Sequence, residues 1–164
     1  MNSKDRGKPV IWAPALLSNY GFSVLEQYIR DVDYLILNQQ EAKSLTSIHE
    51  GIQACTNISN AISGKVVVTL GHDGCILCSG GKGKKISPLH LSLSRLNVVS
   101  TAGAGDTLVG VFGAFKVKGL EDDRALYLAN IAAALKTTRE ETRASPSYGE
   151  IQRYVKEYEG SSSF

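Results

Sequence analysis

Thr101-Ala-Gly-Ala-Gly-Asp-Thr107, preceded by Leu96-Asn-Val-Val99 and followed by Leu108-Val-Gly-Val-Phe-Gly113, is the stretch on which the fold turns. Its pattern predicts a strand or strand entry over 96–99 and a helix from Asp106 to Lys118, with Gly119 as C-cap. Gly103, Ala104 and Gly105 carry no bulk. Their N–H groups can therefore converge on an anion where a helix leaves donors unpaired and its dipole favours negative charge. Asp106 stands at that mouth. A carboxylate so placed can take a proton from a hydroxyl while the N–H groups stabilise a phosphoryl group in transfer. The same residues also suit a glycine-rich turn capped by Asp, with no chemistry. Neither this stretch nor Gly80-Gly-Lys-Gly-Lys-Lys85 is a Walker A loop, because Lys-Ser/Thr is missing after the last glycine.

Upstream, Val10-Ile-Trp-Ala13, Asp33-Tyr-Leu-Ile-Leu37 and Val66-Val-Val-Thr-Leu70 read as apolar strands without polar alternation. Helical spacing over 20–30, 41–45 and 48–62 separates them. That order predicts an α/β fold, a mostly parallel sheet covered on both faces. After Gly71-His-Asp-Gly74 comes a strand over Cys75–Cys78, with an antiparallel return beyond Gly80-Gly-Lys-Gly83. Helices are expected over 122–139 and 150–159, with Ser145-Pro146 between them. The tail, residues 160–164, reads as frayed.

A length of 164 residues fits one domain spanning 1–164. Eighteen Lys+Arg against sixteen Asp+Glu leave a net charge of +2, too small to argue for nucleic acid or a membrane surface. Lys82, Lys84 and Lys85 read as a solvated hairpin tip. There is no apolar run of 18 residues, and the polar start reads as neither signal peptide nor membrane span. Three cysteines, an odd number, fit a reducing compartment, so a cytoplasmic location is expected. Cys75 and Cys78 lie three apart on a strand and should point to opposite faces. Buried packing suits them better than zinc.

Ser100-Thr-Ala-Gly-Ala-Gly-Asp106 resembles the C-terminal signature Asp-Thr-x-Gly-Ala-Gly-Asp of the ribokinase-like (PfkB) carbohydrate kinases in all but its first position. Three further stretches resemble that family in order. Asn38-Gln-Gln-Glu41 is similar to its Asn-x-x-Glu motif, Val68-Thr-Leu-Gly-His-Asp-Gly74 to the strand and turn that approach the nucleotide, and Leu128-Ala-Asn-Ile-Ala-Ala-Ala-Leu135 to the late helix beside the adenine. The resemblance implies a three-layer sandwich that lacks the family's N-terminal part and lid. It implies ATP and Mg²⁺ as cofactors, with Asp106 as catalytic base and Gly103, Ala104 and Gly105 as the anion hole. Asn38, Thr69, Gly71, Gly74, Thr101 and Asn130 would then meet the nucleotide, and Glu41 would organise Mg²⁺ through water. As bare residues, Asn38 and Glu41 also suit a helix cap, Gly71 and Gly74 a hairpin, and Asn130 a partly exposed helix face. Ser100 stands where the signature has Asp, in a region that binds a monovalent cation in many members, which leaves potassium activation in doubt.

Ile11-Trp-Ala-Pro14, Pro88-Leu89 and Ala144-Ser-Pro146 resemble the pseudouridine kinase branch most. The expected activity is therefore phosphorylation of a primary hydroxyl of a sugar or nucleoside, with the pseudouridine 5′-hydroxyl favoured over a ribokinase or adenosine kinase acceptor. A truncated, non-catalytic nucleotide-binding relative is the alternative. A dinucleotide-binding dehydrogenase ranks last, because the third glycine and the ribose-binding acid are missing. A sheet cut on one side would leave an exposed edge, which points to a homodimer.

Overall fold

The computed structural model describes residues 7–88 and 96–159; the polar start, Leu89 and the tail at 160–164 lie outside them. Five strands form one sheet in the order β1 (Ile11–Trp12), β2 (Tyr34–Asn38), β3 (Lys65–Thr69), β4 (Cys75–Ser79), β5 (Lys82–Ile86). β1, β2 and β3 are parallel neighbours, whereas β4 pairs antiparallel with both β3 and β5. Four strands thus run one way and β4 the other, so the expected α/β sandwich is present.

Strand residues alternate between two cores. Ile11, Tyr34, Ile36, Val67, Cys75 and Ile86 face α4 (Ala104–Val117), α5 (Asp122–Thr137) and α6 (Tyr148–Glu159). Trp12, Leu35, Leu37, Val66, Val68, Ile76 and Cys78 face α1 (Phe22–Ile29), α2 (Gln39–Thr46) and α3 (Gly51–Ala61). A strand buried on both sides has no solvent face to make polar, hence the unbroken Val66-Val-Val run. Each such side chain contributes roughly 1.5–3 kcal/mol when fully buried.

Cys75 and Cys78 do sit on opposite faces, but Cys78 is bonded to Cys55 of α3, their Cα atoms 6.0 Å apart. That corrects the expectation of plain apolar packing for Cys78, and it runs against uniformly reduced thiols. Cys75 is free and buried, and burial pushes its thiol up to about 11.

Several boundaries differ from the sequence expectation, each for a local reason. Residues 97–100 are not a strand, because the N–H groups of Val99 and Ser100 both donate to the Thr137 carbonyl (2.8 and 3.0 Å) rather than to the sheet. The helix expected from residue 48 starts at Gly51, since the Glu50 carboxylate caps it by accepting from Ile52 and Gln53 (3.1 and 2.7 Å). A 3-10 turn over Ala15–Tyr20 precedes α1 and has no periodicity to announce it. α4 opens two residues early, at Ala104. The helix expected to run to Arg139 ends at Thr137, where the Thr137 and Thr138 hydroxyls bond back to the Ala134 and Leu135 carbonyls.

Candidate active site

α4 begins where it does because Gly103, with φ of 78°, turns the chain left-handed just before it. A side chain there would overlap the Thr142 carbonyl. The first bond of the helix runs from Thr107 N–H to Gly103 O (2.9 Å), and no side chain caps the mouth. Ala104 N–H is turned back onto the Thr101 carbonyl at 3.2 Å. The amides of Gly105 and Asp106 therefore have no acceptor within the helix. Space is open within 4 Å of where a Gly105 side chain would start, room that an anion could fill. Ser100, at the signature's departing position, accepts from Ala102 N–H through its hydroxyl (3.3 Å).

A cavity of about 310 Å³ adjoins this mouth. Thr69, Gly71, Gly74, Thr101, Ala104, Gly105 and Asn130, seven of the residues singled out from sequence, line it. It lies at the carboxyl end of β3, the place where open α/β sheets take their ligands. Its apolar wall includes Leu108 and Ala133; His72 and Ala133 fall within the family-like stretches but were given no role of their own, and Leu108 and Thr137 were given none either. α4 and α5 pack closely, and only that packing brings their small residues to one wall.

The other four lie off the lining. Gly103 supports the turn from behind, and Asp106 is exposed on the first turn of α4, next to Gly105. Asn38 ends β2 in register with Thr69, which places it at the same carboxyl end. Asn38 and Glu41 form a complete capping box: Glu41 N–H donates to Asn38 Oδ1 (2.8 Å), and Asn38 N–H donates to Glu41 Oε2 (2.9 Å). Asn130 is buried rather than partly exposed. Its amide nitrogen donates to the Leu126 carbonyl (2.8 Å) and to Cys75 Sγ (3.2 Å), tying the α5 wall to β4.

No group of three His, Cys, Asp or Glu able to cage a metal occurs among the described residues. A Mg²⁺ ion fits this donor set only as it is commonly held, by waters, one or two carboxylates and the substrate's phosphates. An open glycine turn at a helix mouth, beside a part-apolar cavity at the carboxyl end of a doubly covered sheet, is an arrangement with which an α/β protein can hold an anionic ligand.

Within that class the chain belongs to the PfkB family of carbohydrate kinases, whose model matches residues 2–147. It is 30% identical over 129 residues to a ribokinase of Lactococcus lactis, covering 78% of this chain and 40% of that protein. It is 25% identical over 134 residues to a deoxyribokinase of Salmonella typhi, covering 78% and 42%. Among solved structures, Arabidopsis thaliana ribokinase complexed with ribose and ATP superposes with a TM-score of 0.76 at 24% identity, covering 93% of this chain and 49% of that one. Thermotoga maritima ribokinase gives 0.74 at 23%, covering 90% and 49%. The chain thus spans about half the length of these solved kinases and about two fifths of these two curated relatives.

Proposed function

We propose that this chain is the nucleotide-binding and catalytic part of an ATP-dependent kinase acting on a primary hydroxyl of a sugar or nucleoside. One observation carries the reading: Thr69, Gly71, Gly74, Thr101, Ala104, Gly105 and Asn130 converge on one cavity beside the uncapped mouth of α4, which bears Asp106 on its first turn. Asp106 takes the hydroxyl proton. The freed oxygen attacks the γ-phosphorus of ATP, the bond to the β-phosphate oxygen breaks, and ADP leaves. The Gly105 amide and the positive end of α4 stabilise the transferring charge, and Gly103 and Ala104 shape the turn that presents them. Mg²⁺, organised through water near Glu41, would neutralise phosphate charge.

The pseudouridine 5′-hydroxyl is the proposed acceptor, supported by the Ile11-Trp-Ala-Pro14 and Ala144-Ser-Pro146 resemblances. Ribose is the second reading, favoured by the names of the relatives. ADP release measured with pseudouridine, ribose, deoxyribose and adenosine, beside an ATP titration, separates them. ATP binding with no turnover on any acceptor would favour the non-catalytic alternative.

A partner and a location are also proposed. Beyond β1 no further strand pairs among the described residues; Val10 precedes β1, Tyr28 packs edge-on against Trp12, and Leu16, Leu17 and Tyr20 follow β1 in the chain, all five exposed. We read this edge as a homodimer contact. A cytoplasmic location remains our proposal; among the described residues no helix is long and apolar enough to cross a membrane.

A further inference from the structure

The end of α5 and the loop that leads from it to α6 lie behind the glycine turn and touch its surroundings at successive points. The Thr137 carbonyl holds the amides of Val99 and Ser100, the Thr142 carbonyl packs against Gly103, and Ser145 Oγ pairs with Thr107 Oγ1 at 2.8 Å. The loop carries no regular structure between Thr138 and Ser147, so something must give it a shape. Arg139 supplies it. Its Nη1 donates to the carbonyls of Ala144 (3.1 Å) and Ser145 (3.2 Å), closing the loop on itself, while Nη2 pairs with Glu150 Oε1. Glu150 Oε2 accepts from Ser147 N–H (2.7 Å) and Ser147 Oγ (2.8 Å), which anchors the far end on α6. From below, the buried Lys136 donates to the Arg139 carbonyl at 3.3 Å.

We propose that Arg139, through Glu150, is a positioning residue for the phosphate site: it sets the loop on which Gly103 and Thr107 rest, and so fixes the mouth of α4. The proposal rests on reading that mouth as the site of the ATP phosphates. A planar fork reaches two carbonyls through one nitrogen and a carboxylate through another, a spread that the single nitrogen of a lysine on its flexible stem does not match. The Arg139 and Glu150 side chains are about one-third exposed, so their pairing adds little to global stability. Losing it should loosen the turn without unfolding the chain.

The test compares the 164-residue chain with its Arg139→Ala, Arg139→Lys and Glu150→Gln variants by amide hydrogen exchange, first without ligand and then with ATP. The expected result is exchange at residues 99–107 faster by about tenfold in Arg139→Ala, with Arg139→Lys and Glu150→Gln between it and the wild type. Exchange in α3 and β4 should stay unchanged, the melting temperature should hold, and ATP affinity should fall by about tenfold. Unchanged exchange at 99–107 in Arg139→Ala overturns the proposal. So does faster exchange there with ATP affinity intact, since the loop would then be structural only. Failure of ATP to protect the wild-type chain overturns the nucleotide reading instead, while the ligand-free comparison still decides whether Arg139 holds the turn.

Discussion

Asp106 occupies the third position of α4, one residue past the open Gly105, where a carboxylate gains from the helix dipole and can also reach what the dipole attracts. Replacing it with Asn keeps the shape and removes the base. Asp106→Asn is expected to lower phosphotransfer by 10²–10⁴-fold while ATP affinity changes little; wild-type turnover in the variant would remove Asp106 from the chemistry. Glu41 closes a capping box at the carboxyl end of the sheet, and the proposed Mg²⁺ role falls on the same carboxylate. Losing a cap costs about 1 kcal/mol. Glu41→Gln should therefore cost little stability, because the amide oxygen still accepts from Asn38 N–H, yet raise the free Mg²⁺ needed for half-maximal activity. An unchanged Mg²⁺ midpoint would leave Asn38 and Glu41 as a cap alone.

Among the described elements, the N-terminus of α5 gathers ion pairs on both of its aspartates: Lys84 pairs with Asp123, and the denser set is on Asp122. Tyr34 Oη of β2 donates to it at 2.6 Å, Lys116 of α4 pairs with it at 2.7 Å, and Lys65 of β3 completes the set. Burial alone would raise this carboxyl, but the hydrogen bonds from Lys116, Lys65 and Tyr34 outweigh it and hold it near 2. A depressed carboxylate stabilises the fold above its unfolded pKa and loses that stabilisation as pH falls through the folded value. The chain should accordingly lose about 2 kcal/mol from this group as pH drops from about 4 towards 2. Urea unfolding across that range should show a shallower loss in Asp122→Asn; parallel curves would deny Asp122 the role. None of these contacts is written in the local sequence, because they join residues up to 88 positions apart. The strands were legible for the opposite reason: a segment buried on both faces, such as Val66-Val-Val, must be apolar throughout, and that needs no knowledge of its partners. Helix ends were less so. Glu50 and the threonines after Ala134 set them by side-chain bonds that periodicity does not register.

For the molecule as a whole, the cavity was half visible beforehand. The glycine turn and the end of β3 have turn chemistry that names them, whereas Leu108, Ala133 and Thr137 become walls only when α4 meets α5. The Cys55–Cys78 bond was invisible, since it requires α3 to lie over β4. On the homodimer proposal, the edge at β1 is the contact between copies. Leu16 and Tyr20 are 78% and 70% exposed, so Leu16→Glu with Tyr20→Glu should turn a concentration-dependent dimer into a monomer by light scattering. A wild-type chain that is monomeric at every concentration would dismiss the homodimer. With two of three cysteines tied together, Cys75 is the one free thiol, fully buried and bonded to a residue of the cavity wall. No maleimide can tag it until that wall swings out. Its tagging rate is therefore a stopwatch for breathing of the wall, and a ligand seated in the cavity should slow the clock.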